Sequence, residues 1–139
     1  MEIKEALENY NNYSVRIAVI DRKIFKLRQE EATLRSTKLD GMPKAQGFTV
    51  SNIENEIIHK LTQIEELETE RQQLLLETSI VDKLILILKK NMQDIVNMRY
   101  KEKFAIEYIA DKKGRTYRAV SSILGKAVKE MQEEYDRNL

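Results

Sequence analysis

The side chains best placed for chemistry are cations and hydroxyls crowded into Gly114-Arg115-Thr116-Tyr117-Arg118-Ala119-Val120-Ser121-Ser122-Ile123. Arginine offers a guanine edge two parallel hydrogen bonds, and a serine hydroxyl serves several bases or a phosphate. Tyr117 adds a phenol with a polar tip, and Lys112, Lys113 and Lys126 add charge on either side. This chemistry suits recognition of a polyanion. It has no nucleophile, base or metal-ligand set attached to it.

The elements that must position these groups are two short helices and a turn. Phe104, Ile106, Ile109 and Ala110 form an apolar face on a first helix ending near Asp111. Gly114 supplies the left-handed backbone that a helix C-terminus often needs. Thr116 is placed to cap a second helix by accepting a backbone N–H. Val120, Ile123, Leu124, Ala127 and Val128 recur at helical spacing and would seat that helix on the first. Arg115, Tyr117, Arg118, Ser121, Ser122 and Lys126 then lie off the apolar stripe, mostly near the positive end of the helix dipole. The pattern predicts a helix-turn-helix whose second helix enters a DNA major groove, with Arg115, Thr116, Tyr117, Arg118, Ser121, Ser122, Lys126, Lys112 and Lys113 as the candidate DNA-binding residues. The plainer alternative is a two-helix corner with solvated charges.

Arg99-Tyr100, Ile109-Ala110, Gly114, Thr116-Tyr117-Arg118-Ala119-Val120 and Lys126-Ala127 resemble the DNA-binding region 4 of bacterial sigma factors over the last third of the chain. With the helical first half, the whole resembles the ArpU/RinA-type late transcription regulators of phages and prophages of Gram-positive bacteria. The resemblance implies a sequence-specific regulator in a bacterial host cytoplasm, bound to double-stranded DNA, that activates late genes. The residues themselves leave open whether it activates or represses and whether it contacts RNA polymerase. Glu107-Tyr108 beside the basic Lys112-Lys113 departs from the sigma pattern, so the target sequence does not carry over.

Composition narrows the classes further. Of the 139 residues 34% are charged and 6% aromatic, with four Gly and one Pro, which suits long helices with wet faces. No apolar run nears the roughly 18 residues that span a bilayer; the longest is Leu84 to Leu88. The N-terminus has no secretory apolar region. With no Cys there is no disulfide framework or thiolate zinc site, and a cytoplasmic protein is expected. Net charge is +1, unevenly distributed. From Lys83 onward 13 Lys and Arg face 8 Asp and Glu, whereas residues 1–82 hold 11 and 15. The basic half is the half that a phosphate footprint requires.

An enzyme is not expected. There is no Gly-rich phosphate loop, and the single His59 has no relay partner. Glu56 and His59 have an i, i+3 spacing used in metal sites, but no second set accompanies them. No metal and no cofactor are expected.

The first half reads as seams. Ile3, Leu7, Tyr10, Ile17, Ile20, Ile24, Leu27 and Leu34 predict one helix from about Ile3 to Arg35. Ser36 to Val50 holds three of the five Gly and Pro residues and reads as a mobile connection. Ser51-Asn52-Ile53-Glu54 offers a capping box. Ile53, Ile57, Leu61, Ile64, Leu67 and Leu74 continue a second seam that Arg71 interrupts. The two helices are expected to pack antiparallel. Val19, Ile58, Leu75 and Leu76 lie beside the seam, so a second copy is the expected cover, most simply in a homodimer through the coiled coil; the alternative is that they seat against the C-terminal domain. Ile80 to Leu88 reads as a buried pivot, Asn91 as a cap for a helix over Met92 to Tyr100, and Lys129 to Asn138 as a solvated helical tail along which Met131 and Tyr135 continue a thin apolar line.

The expected fold is all-α: an antiparallel two-helix coiled-coil hairpin over residues 1–79, with its loop at 36–50, followed by a sigma region 4-like helix-turn-helix over 80–139. The expected function is a DNA-binding transcription regulator. A small terminase subunit-like DNA-packaging protein and a coiled-coil structural or adaptor protein are the alternatives.

Overall fold

The structure, a computed structural model, describes residues 1–39 and 50–138. All regular elements there are helices: α1 (Ile3–Glu8), α2 (Tyr10–Leu39), α3 (Val50–Leu86), α4 (Lys90–Val96), a π-helical turn (Asn97–Lys101), α5 (Ile106–Lys113) and α6 (Tyr117–Asn138). Among the described residues, no helix is long and apolar enough to cross a membrane. The chain forms two compact units. One is Met1–Ser14 with Leu75–Leu139, and the other is Val15–Leu74.

The first unit is a head built around α6. Val120, Leu124, Ala127 and Met131 form its buried stripe, and Ile95, Val96, Ile109 and Ala110 of α4 and α5 belong to the same core. The N-terminus completes that core. Ile3, Ala6 and Leu7 are buried in it, the Ile3 backbone N–H donates to Gln132 Oε1 at 2.8 Å, and Gln132 Nε2 donates to the Met1 carbonyl at 3.3 Å. The single helix expected from Ile3 to Arg35 is therefore two. Asn9 separates them at φ −96° and ψ 2°, where three asparagines within four residues weaken the helix. The compact units accordingly divide the chain at 14/15 and 74/75, where the sequence suggested a single boundary after residue 79.

Other boundaries shift for local reasons. α3 runs through Thr78-Ser79 without a break and ends at Leu86. The pivot expected to be apolar on all sides is buried on one side only. Val81, Leu84, Ile85 and Leu88 are covered, whereas Leu86 is 70% and Ile87 54% exposed, because burial follows the helical stripe and not the whole run. Asn91 is not a cap. α4 starts one residue earlier behind Lys89, with no side-chain cap bond, and the helix expected to Tyr100 widens into the π-helical turn at Asn97. The expected solvated tail has a dry side, since Met131 is fully buried in the core that α1 completes.

In the second unit, Ile20 of α2 and Ile53, Ile57 and Ile64 of α3 are buried. Cross-helix ion pairs edge them: Arg16 Nε to Glu70 Oε1 at 2.7 Å, Asp21 Oδ1 to Arg71 Nε at 2.7 Å, Glu30 Oε2 to Lys60 Nζ at 2.8 Å, and Arg28 with Glu68. Between Arg16 and Glu30 of α2 the α3 partner runs from Glu70 back to Lys60, an antiparallel course. Arg71, an interruption in the seam, thereby has its own acid. Hydrogen bonds and charge from Arg16 hold the Glu70 carboxyl below its ordinary range, and Lys60 does the same to Glu30. Of the expected 36–50 break, residues 36–39 belong to α2, and 40–49 lie outside the described residues. The side chain of Ser51 in the expected capping box lies outside them too.

Two substitutions check this division. Leu7→Ala should cost about 2–5 kcal/mol by denaturant unfolding, as for other buried large-to-small changes. Exposed Val15→Ala should stay within about 0.5 kcal/mol. Equal effects would show that α1 is not part of the core.

Candidate nucleic-acid interface

The turn between α5 and α6 is closed by backbone geometry. Gly114 sits at φ 62° and ψ 37°, the left-handed region. The Arg115 N–H reaches back to the Ala110 carbonyl at 2.9 Å and the Gly114 N–H to the Asp111 carbonyl at 3.4 Å. These are the paired bonds of a Schellman closure, which satisfy carbonyls that a helix end leaves open. Thr116 then opens α6 as its spacing predicts: the Ala119 N–H donates to Thr116 Oγ1 at 3.1 Å. Helix, left-handed stop and capped restart occupy residues 106–117.

Because Val120, Leu124, Ala127 and Met131 point into the core, the opposite side of α6 faces solvent. Arg115, Thr116, Tyr117, Arg118, Ser121, Ser122 and Lys126 are all exposed. At 100° per residue Arg118, Ser122 and Lys129 fall on one line, flanked by Arg115 and Lys126. Among the described residues, no acid pairs with Arg115, Arg118, Lys126 or Lys129. Unneutralised cations on a rigid face are what a polyanion meets most favourably.

The remaining sequence candidates divide by role. Thr116 spends its hydroxyl on the cap. Lys112 and Lys113 are exposed at the end of α5, but each has a neighbour in the chain. Lys113 Nζ lies 3.6 Å from Asp94 Oδ2, and Lys112 Nζ stands 5.7 Å from the Tyr108 ring centroid. His59 is exposed on α3.

Two residues of this face were not picked out from sequence. Lys129 was grouped with a solvated tail, although it is eleven residues after Arg118 and three helical turns returns it to the same line. Gly125 also lies on this side. It is exposed within α6, and a Cβ built on it meets nothing within 4 Å. Nothing inside the chain requires a glycine there.

A second polar cluster fixes the π-helical turn. Tyr10 Oη donates to Asp82 Oδ1 at 2.8 Å, and Lys101 Nζ reaches the same oxygen at 2.9 Å while lying 4.7 Å from the Tyr10 ring centroid. Burial raises the Tyr10 phenol above its ordinary range, and Asp82 adds to the effect. Burial alone would lower Lys101, but its bond to Asp82 carries it above an ordinary lysine. Asn11 Nδ2 donates to the Lys101 carbonyl at 2.7 Å. This cluster is structural: Asp82 Oδ1 takes both donors, and Asn11 ties the Lys101 carbonyl to the N-terminal segment.

Removing the cap should show in stability. Thr116→Ala should cost about 1 kcal/mol, and Gly114→Ala a similar amount by forcing a Cβ into the left-handed region. Faster amide exchange at Ala119 in Thr116→Ala would localise the loss to the first turn of α6; unchanged exchange would contradict the cap. In comparisons with protein-family models, with curated proteins and with solved structures, nothing matches this chain.

Proposed function

We propose that this chain is a sequence-specific DNA-binding transcription regulator, that α5 and α6 act as its helix-turn-helix, and that α6 is the recognition helix. The observation that carries this reading is the exposed face of α6, where Arg118, Lys126 and Lys129, with Arg115 just ahead of the helix, have no acid partner among the described residues while the opposite stripe is buried. Lys126, Lys129 and the N–H groups at the start of α6 engage phosphates, which contributes affinity without sequence information. Arg115, Arg118, Ser121 and Ser122 reach base edges, and Tyr117 sets the helix against the groove wall. No step breaks a bond; the protein works by occupancy.

The resemblance of the last third to sigma region 4, and of the whole to ArpU/RinA-type regulators, supports late-gene activation in a bacterial host cytoplasm, with RNA polymerase as a further partner. The second unit supports self-association. It buries few side chains, and it leaves Val15, Val19, Phe25, Ile58 and Leu61 exposed. A second copy covering that surface makes the protein a dimer and offers two recognition helices to a site of two-fold character.

Selection of bound fragments from random DNA tests the reading, followed by titration of the selected duplex at several salt concentrations. Affinity should fall steeply as salt rises. Arg118→Ala should weaken binding to the selected site by about 1–3 kcal/mol and relax preference at one position. Undiminished affinity would remove Arg118 from the interface, and absence of salt-dependent binding would favour an adaptor protein. Phe25→Glu should shift a dimer toward monomer in sedimentation equilibrium. A wild-type monomer at tens of micromolar would defeat the dimer, and a ring-sized mass would favour a DNA-packaging subunit.

A further inference from the structure

Beside the exposed face of α6 lies a cleft of about 540 Å³ inside the first unit. Ser121 and Gly125 form its α6 lip, with Leu124 and Val128 as its apolar floor. Lys4 and Glu8 of α1 stand across from them. Arg99, Tyr100 and Lys103 close the end. None of the three cations belongs to the set picked out from sequence.

Four separate features converge on this cleft. Arg99 and Tyr100 come from the π-helical turn, a rare geometry that occurs frequently at functional sites. Lys103 holds φ 61°, a conformation unfavourable for any residue with a Cβ and kept only where the surroundings over-determine it. Its Nζ donates to the Glu8 carbonyl at 2.8 Å, which leaves its positive charge at the rim. Gly125 keeps the α6 lip bare, with open space where its Cβ would stand. Charge is the fourth. Three cations face one carboxylate, and among the described residues neither Lys4 nor Arg99 has an ion-pair partner. Arg99 Nη1 is engaged by the Phe104 carbonyl at 3.1 Å, but the remaining guanidinium donors are not.

We infer that this cleft receives a phosphate of the DNA backbone flanking the groove that α6 enters, an inference that rests on the DNA-binding reading above. Ser121 and Gly125 belong both to the exposed side of α6 and to the cleft, so a strand running beside the helix passes its mouth. The bare glycine lip admits the sugar-phosphate chain close to the helix. Lys4 and Lys103 supply point charges, Arg99 a directed donor, and the apolar floor a low-dielectric wall that strengthens them. Farther along the same seam Glu2, Glu133 and Asp136 face Lys4 and Lys129. The contact extends the footprint from α6 to the N-terminal helix, and it reads no bases.

The test uses the full chain, the selected duplex and an unrelated duplex of the same length. Lys4→Gln with Lys103→Asn removes both point charges, and asparagine tolerates the left-handed conformation. Each phosphate contact contributes about 0.9 to the slope of log affinity against log salt. The double variant should lose at least that much slope, equally on both duplexes, while Lys83→Gln should lose none. Glu8→Gln should tighten binding. A single uncharged methylphosphonate moved along the duplex locates the contact. At one flanking position it should weaken the wild type clearly more than the double variant, which retains only Arg99 for that phosphate. If the wild type binds DNA and the double variant keeps the same slope and the same methylphosphonate profile, the cleft is not a phosphate site and the DNA-binding reading stands. If the wild type binds neither duplex, both fall together. Matching thermal transitions for variant and wild type ensure that a lost contact is not a lost fold.

Discussion

The burial of one stripe of α6 governs what the head can do. Val120, Leu124, Ala127 and Met131 span three turns and are closed almost completely against α1, α4 and α5. Val120, Leu124 and Met131 each contribute about 1.5–3 kcal/mol on leaving water, so rotating the helix about its axis would forfeit much of the core. With rotation prohibited, the line through Arg118, Ser122 and Lys129 has a fixed direction. Which side chains of α6 meet solvent follows from which of them the core takes.

A fixed face also needs a fixed starting point. The Schellman closure at Gly114 and the hydroxyl of Thr116 set where α5 stops and α6 begins. Together they place Arg115 just ahead of α6 and Arg118 on its first turn, where free N–H groups and the helix dipole add to the side-chain charge. The π-helical turn does comparable work on the far side of the head. Its extra residue per turn swings Arg99 and Tyr100 to the edge of the core, and the Tyr10–Asp82–Lys101 cluster keeps it from relaxing into regular helix. Asn97 Oδ1, at the start of that turn, is buried with no hydrogen-bond partner, so the turn is not fully compensated.

The second unit follows a different economy. Its helices share four buried isoleucines and a set of half-exposed ion pairs, which solvent screens. Such pairs choose register and direction more than they supply stability. An antiparallel pair held this way leaves large apolar side chains wet, and burial against a further surface is the available remedy.

Much of this was decided by sequence alone. Local rules apply wherever cause and effect lie within one helical turn: the stop at Gly114, the cap at Thr116, the spacing that sends Val120 and Ala127 inward, the seam isoleucines of α2 and α3. The tertiary structure decided the rest, through contacts between residues far apart in the chain. No local pattern distinguishes Ile3 and Leu7, as members of the head core, from the seam residues that follow them. Only packing against the far end of α6, about 130 residues on, makes them so. The same holds for Leu86 and Ile87, which an apolar run suggested were buried and which the helical stripe left outside. It holds also for Lys4, Arg99 and Lys103, scattered in sequence and gathered around one cleft by the fold. Periodicity tells a residue which side of its own helix it is on, but not which helix will arrive to meet it.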